Sequence, residues 1–126
     1  DCCWFSSVRP DGRAHSVPIW HVWHLGRVYI ITDPKSVKIT NIQHHPAVVV
    51  THPDPLNPII VEGVARLAPD RLTEIRPRFQ AKYDWDPSED AQYGAVLEIT
   101  PSKLMAWGKH GEGRWSGEAV VRVVLD

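Results

Sequence analysis

The sequence predicts a mainly β protein with two helices, folded as a closed or partly closed antiparallel barrel. Eight short runs rich in Val, Ile, Trp and Tyr are separated by turn residues, as is typical of antiparallel strands. Only two segments have helical spacing, and strands do not alternate with helices as they do in a parallel α/β sheet. The 126 residues fit one domain, residues 1–126.

The turn residues indicate how the first strands connect. Gly12 follows the first run and Gly26 follows the second, and glycine supplies the positive φ that tight hairpins require. The first three strands are therefore predicted to form consecutive hairpins. The apolar runs at 17–20 and 48–50 are typical of strands covered on both faces, which predicts a barrel wall that also forms a dimer interface. The predicted strands are residues 2–8, 14–23, 27–32, 47–52, 58–67, 93–100, 103–107 and 119–125.

Two segments break the strand pattern. In residues 33–46, Asp33 can cap a helix and Pro34 suits its first turn, so we expect about three helical turns. A second helix is expected to start at Asp70, a candidate cap, and Pro77 is expected to kink or divide it. Its apolar face is formed by Leu72, Ile75, Phe79 and Tyr83.

Composition limits the partners and the compartment. The 14 basic residues nearly balance the 15 acidic ones, so no strong field attracts nucleic acid or anionic lipid. Cys2 and Cys3 are adjacent and do not form an ordinary disulfide, and we interpret both as buried strand residues in a reducing cytoplasm. No apolar stretch reaches the roughly 18 to 20 residues that span a bilayer. Because the sequence begins at Asp1 rather than Met, we expect it to be part of a longer chain.

The most informative segment is 32–38, where a predicted strand ends and a predicted helix begins. Free backbone N–H groups, the positive end of the helix dipole, the Ser36 hydroxyl and the Lys38 ammonium meet there. This combination suits a phosphate group. The alternative is an exposed first turn without a ligand, since polar residues favour such turns.

The order and spacing of several motifs together resemble the pyridoxamine 5′-phosphate oxidase-like flavin-binding split-barrel proteins, over about residues 3–110. The motifs are VRPDGRAHSVPIW at 8–20, GRVYIIT at 26–32, SxKxxNI at 36–42, PAV at 46–48 and VEGVA at 61–65. The resemblance implies a split antiparallel β-barrel that is dimeric. It also implies two cofactors at the interface of the homodimer.

The resemblance also implies which residues bind the cofactor. In such proteins the phosphate tail is held by a strand-end Thr and a Ser-x-Lys helix start, which match Thr32, Ser36 and Lys38. Trp107, just before a glycine that permits close approach of the backbone, is a further candidate to face the flavin ring. No catalytic side chain is required, because the cofactor carries the electrons. The ring lies along the second strand, whose matching residues are His15, Val17, Pro18, Ile19 and Trp20.

The chain departs from the oxidase itself, which carries Arg and Lys at the positions matching His15 and Trp20. It also lacks the Arg and His substrate motif near the C-terminus. The nearer look-alikes are short proteins with a Val-Pro-x-Trp strand, which bind either FMN or the deazaflavin coenzyme F420. Their F420-binding members often carry arginines in the first helix, and residues 42–45 contain none, which favours FMN.

The predicted function is therefore an FMN-dependent oxidoreductase that acts on a small molecule as a cytoplasmic homodimer. The first alternative is a reductase that uses coenzyme F420. A non-enzymatic flavin or haem carrier is a further alternative, because a single axial histidine for haem stays open. No metal site is predicted, since His21 and His24 point to opposite faces of a strand.

Overall fold

The computed structural model describes residues 2–90, 92–117 and 119–120. Within these residues the chain is mainly antiparallel β with two α-helices, which confirms the predicted class. Short 3₁₀ helices occupy Pro69–Arg71 and Pro87–Glu89. The other elements are β1 (Cys2–Val8), β2 (Ala14–Trp20), β3 (Val22–His24), β4 (Arg27–Thr32), α1 (Val37–His44), β5 (Ala47–Thr51), β6 (Ile59–Leu67), α2 (Leu72–Tyr83), β7 (Ala95–Ala106) and β8 (Gly113–Ser116).

The strands form one sheet in the order β2-β1-β5-β6-β7-β4-β3, and β8 pairs with β7. Strands β1 and β2 form a hairpin, with Gly12 at a φ of 92°. Strands β3 and β4 form another through Leu25 and Gly26, whose φ values of 50° and 77° fit a two-residue type I′ turn. Both turn predictions are therefore confirmed.

The predicted strand 14–23 is wrong in one respect, because it breaks at His21. The segments on either side, β2 and β3, lie at opposite ends of the strand order. The backbone N–H of His21 donates to the Tyr83 hydroxyl at 3.0 Å, and its carbonyl accepts from that hydroxyl at 3.1 Å. Because a side chain of α2 satisfies both backbone groups, His21 needs no partner strand.

The predicted strands 93–100 and 103–107 are one continuous strand, β7. Pro101 lies opposite Gly63, where the pairing register between β6 and β7 shifts. Ser102 is the extra residue of this bulge, and its hydroxyl donates to the Glu62 carbonyl oxygen at 3.1 Å. Strand β8 was not predicted, and the predicted strand 119–125 lies outside the described residues apart from its first two.

Helix α1 is shorter than predicted. It begins at Val37 and has eight residues, about two turns, with Ser36 at the N-cap position. Asp33 is not the cap, because its Oδ1 accepts a hydrogen bond from the Lys35 N–H at 2.8 Å in the preceding turn. That turn carries the chain from β4 into the helix.

Helix α2 differs from its prediction at Asp70 and Pro77. Asp70 lies in the preceding 3₁₀ helix and pairs with Arg66 at 3.3 Å, so it does not cap α2. The helix runs unbroken through Pro77, which is exposed. Burial of Ile75 and Phe79, both 0% exposed, holds the helix against the sheet and offsets the missing backbone hydrogen bond.

One face of the strands β2, β1 and β5 is not covered by other residues in the part of the chain that the structure describes. Val48 and Val50 are buried in the core, but Val49 on the opposite face is only half-buried. On that same outer face, Trp4 and Trp20 are each 44% exposed. The described residues of one chain therefore do not complete the two-sided coverage predicted for these strands, and the homodimer stays a prediction. Among the described residues, no helix has the length and apolar composition to cross a membrane.

Candidate functional site

A cleft of about 560 Å³ opens beside the edge strand β2. The ends of β2 and β4 and the first turn of α1 form one side of it, and the segment between α2 and β7 forms the other. Its lining residues are Cys2, Pro18, Ile19, Trp20, Ile31, Thr32, Lys38, Trp85, Asp90 and Tyr93.

Five of the predicted site residues line this cleft together: Pro18, Ile19, Trp20, Thr32 and Lys38. His15 and Val17 lie further along the same strand, and Ser36 adjoins the cleft through its contact with the Thr32 hydroxyl. Trp107 follows the end of β7 and does not line the cleft. The structure thus brings together residues from three separate motifs, while the roles predicted for all nine remain predictions.

One end of the cleft is polar and positively charged. Thr32 Oγ1 donates to Ser36 Oγ at 3.4 Å, and no side chain caps α1. Lys38 in the first turn is half-buried, and this burial lowers the pKa of its ammonium group, an effect that Asp33 opposes. Two hydroxyls and a lysine of the first turn therefore lie at or beside the N-terminus of a helix, an arrangement suited to an anion.

His15 lies further along β2, near the cations of this end of the cleft. Its Nδ1 is buried and has no hydrogen-bond partner among the described residues. Burial lowers the pKa of His15, and the charges of Arg9 and Lys38 lower it further. All three effects favour the neutral imidazole, so the positive charge near His15 belongs to Arg9 and Lys38.

The other end of the cleft is aromatic. The Trp20 indole stacks on the ring of Tyr83, with centroids 4.4 Å apart and an interplanar angle of 3°. Trp85 meets Trp20 edge-on at 5.9 Å and Tyr93 at 5.6 Å. Tyr83 lies behind Trp20 and does not line the cleft. The apolar surface on which a planar ring system can pack is provided by Pro18, Trp20, Trp85 and Tyr93.

Sequence reasoning missed several lining residues. Trp85, Asp90 and Tyr93 come from the segment between α2 and β7, which carries no motif of the resemblance. The available signal was two aromatic residues within a polar turn region. Cys2 was expected to be buried but is exposed in the cleft, because it lies on the outer face of β1 while Cys3 faces the core.

The cysteine that is buried is not arranged for nucleophilic chemistry. Cys3 Sγ lies 3.4 Å from His21 Nε2, and both residues are buried. Burial raises the pKa of Cys3 to about 11 and lowers the pKa of His21 to about 4. The pair is therefore a thiol beside a neutral imidazole near neutral pH. Nowhere in residues 2–90, 92–117 and 119–120 do three or more His, Cys, Asp or Glu side chains form a group that could hold a metal ion.

Comparisons with known proteins agree with this geometry. The sequence profile of the pyridoxamine 5′-phosphate oxidase family matches residues 1–108. No curated protein sequence matches significantly.

Three solved structures share the fold. An F420 reductase is 22% identical, with 82% of this chain and 87% of that chain covered and a TM-score of 0.67. A pyridoxamine 5′-phosphate oxidase-related, FMN-binding protein from Nostoc punctiforme is 18% identical, with 90% of this chain and 76% of that chain covered and a TM-score of 0.66. A heme-binding protein from Mycobacterium smegmatis is 15% identical, with 97% of this chain and 55% of that chain covered and a TM-score of 0.71.

Proposed function

This chain belongs to the pyridoxamine 5′-phosphate oxidase family, and we propose that it is an FMN-dependent oxidoreductase that binds its cofactor in the cleft beside β2. Its substrate is a small molecule, and it works as a homodimer in the cytoplasm. The uncovered apolar face around Trp4 and Trp20 supports the dimer, because such a surface is unfavourable in water without a partner. The same face borders the cleft, as expected for a cofactor at a subunit interface.

The observation that carries the proposal is the half-buried ammonium of Lys38 at the polar end of the cleft. An ammonium group that burial disfavours gains most from a countercharge, and the FMN phosphate is such a group. Thr32 and Ser36 would bind phosphate oxygens through their hydroxyls. The uncapped N-terminus of α1 would donate backbone N–H groups to the same phosphate.

Residues 18–20 of β2 would pack against the flavin ring and exclude water from its face. Bound FMN would supply electron or hydride transfer, which no side chain of this chain provides. The proposal therefore assigns this chain binding and orientation, and it assigns no residue a catalytic role. Trp107 is too far along β7 to line this cleft, so a role at the flavin ring would require it to act on the partner subunit's cofactor.

Titration with three ligands tests the proposal. Purified protein is titrated with FMN, with riboflavin, which lacks the phosphate, and with coenzyme F420, while flavin and tryptophan fluorescence are followed. We expect FMN to bind at least about tenfold more tightly than riboflavin, since the phosphate adds charge-assisted contacts. Equal affinity for FMN and riboflavin would contradict the phosphate site, and preference for F420 would replace FMN with the deazaflavin.

Reduction of the bound cofactor separates an enzyme from a carrier. The FMN complex is mixed anaerobically with NADH, NADPH or reduced deazaflavin, and the flavin absorbance is followed. Bleaching of the flavin band supports an oxidoreductase. Retention of FMN without reduction by any donor would instead favour a carrier, and a Soret band on hemin titration with no flavin binding would favour a haem carrier.

A further inference from the structure

The last turn of α2 contacts β2 where the chain leaves that strand. The ring of Tyr83 stacks on the indole of Trp20 at 4.4 Å. The Tyr83 hydroxyl accepts a hydrogen bond from the His21 N–H at 3.0 Å and donates one to the His21 carbonyl oxygen at 3.1 Å. Lys82 Nζ donates to the same carbonyl oxygen at 2.8 Å. Two consecutive helix residues thus hold the backbone next to Trp20.

The position of Tyr83 is itself fixed by the core. Phe79, one turn earlier in α2, is 0% exposed and its ring lies 5.9 Å from that of Tyr83. Ile75, a further turn back, is also fully buried. Because these residues anchor α2 against the sheet, the Tyr83 ring is presented to β2 from a rigid element.

Trp20 needs such a contact to keep one orientation. It ends an edge strand that pairs with β1, and its indole is 44% exposed. An exposed side chain at a strand end samples several rotamers unless a neighbour selects one. The flat stack with Tyr83 covers one face of the indole, and Trp20 also lines the cleft.

From this geometry we propose that Tyr83 is a positioning residue of the cofactor site. It does not line the cleft, but it holds Trp20 and the end of β2 in the arrangement that receives the flavin ring. The proposal rests on the function proposed above, because Trp20 is one of the residues expected to border FMN. When the wall of a site is already ordered, ligand binding does not cost the free energy of ordering it. Loss of Tyr83 should therefore lower the affinity for FMN although Tyr83 does not line the cleft.

Three variants of the full chain separate positioning from simple stability. Tyr83→Phe keeps the stacked ring and loses both hydrogen bonds to His21, whereas Tyr83→Leu loses the ring as well. Ile99→Val is the matched control, since Ile99 is fully buried in the other core cluster, outside α2 and the cleft lining. We expect the dissociation constant for FMN to rise about 3- to 10-fold in Tyr83→Phe and further in Tyr83→Leu. It should stay unchanged in Ile99→Val, although all three lower the denaturation midpoint.

A spectroscopic readout without cofactor complements the titration. The near-ultraviolet circular dichroism of the Trp20 and Tyr83 stack is obtained as the difference between the wild type and Trp20→Phe. We expect this signal to persist in Tyr83→Phe and to vanish in Tyr83→Leu. If Tyr83→Leu does not fold, the affinity of Tyr83→Phe decides.

The outcomes distinguish this proposal from the proposed function. A wild type that binds no FMN contradicts the proposed function, and the Trp20 signal then decides whether Tyr83 positions the indole. Unchanged FMN affinity in both Tyr83 variants overturns the positioning role, as does persistence of the Trp20 signal in Tyr83→Leu. A loss of affinity in Ile99→Val equal to that in Tyr83→Phe also overturns it, because stability alone would then explain the effect.

Discussion

Replacing Lys38 by Met removes a positive charge from the cleft while keeping much of the apolar bulk of the side chain. The ammonium lies with Thr32 in the cleft lining, where burial lowers its pKa and Asp33 opposes that shift. A phosphate supplies the missing countercharge, and a charge-assisted contact of this kind contributes about 1 to 3 kcal/mol. The dissociation constant for FMN should therefore rise roughly 5- to 150-fold.

Riboflavin and a second lysine serve as controls for this prediction. Riboflavin carries no phosphate, so its affinity should be nearly the same in Lys38→Met and in the wild type. Lys35 is exposed in the turn before α1 and does not line the cleft, so Lys35→Met should keep FMN affinity within about twofold. Fluorescence titrations at one ionic strength measure all five affinities. Unchanged FMN affinity in Lys38→Met, or an equal loss for riboflavin, would refute the phosphate assignment.

Three further predictions concern stability, each measured by urea or thermal denaturation. Burial lowers the pKa of His21 from 6.5 to about 4, so the unfolded chain binds an extra proton between these values. The free energy of unfolding should therefore fall by roughly 3 kcal/mol as the pH drops from 6.5 to 4, and His21→Gln should lose this pH dependence. A wild-type free energy of unfolding that does not change over this pH range would contradict the burial of His21. The buried Glu98 carboxylate accepts a hydrogen bond from Arg66 at 2.8 Å. Glu98→Gln should therefore lower the free energy of unfolding by about 2 to 3 kcal/mol, and a decrease below about 0.5 kcal/mol would show that the pair contributes little. A Cβ on Gly63 would collide with the Thr100 carbonyl oxygen, so Gly63→Ala should cost about 1 to 3 kcal/mol, and an unchanged melting temperature would contradict that close approach.

The break at His21 shows what the sequence could not predict about the fold. Residues 14–23 contain strand-forming side chains and no turn residue after Pro18, so nothing local marks the end of β2. The break is set by Tyr83, which is 62 residues away in sequence. By contrast, the hairpin at Gly26 was predictable because its positive φ depends on the turn residues alone.

In strand β7 and helix α2, the effect of a proline likewise depends on contacts that are distant in the sequence. The predicted strands 93–100 and 103–107 left out Pro101, and Pro77 was expected to kink or divide its helix, but β7 and α2 continue through these prolines. In β7 a bulge opposite Gly63 accommodates the proline, and in α2 the buried residues on the opposite face hold the helix together. The local sequence therefore indicated where regular structure is unfavourable, but it did not show how tertiary contacts accommodate each proline.

One end of the candidate site was likewise predictable from the local sequence, and the other was not. The polar end around Thr32 and Lys38 was predictable because a strand end, a turn and a helix start follow each other within a few residues. The aromatic end was not, because Trp85 and Tyr93 reach β2 only when α2 packs on the sheet. Sequence motifs indicated the phosphate end of the cleft, whereas the opposite wall depends on long-range packing.

A crystal structure of the protein with FMN bound tests the central claim most directly. The account predicts the phosphate within hydrogen-bonding distance of Lys38 and of the Thr32 or Ser36 hydroxyl, with the flavin ring against residues 18–20. A phosphate bound elsewhere, or a ring that does not contact β2, would contradict it.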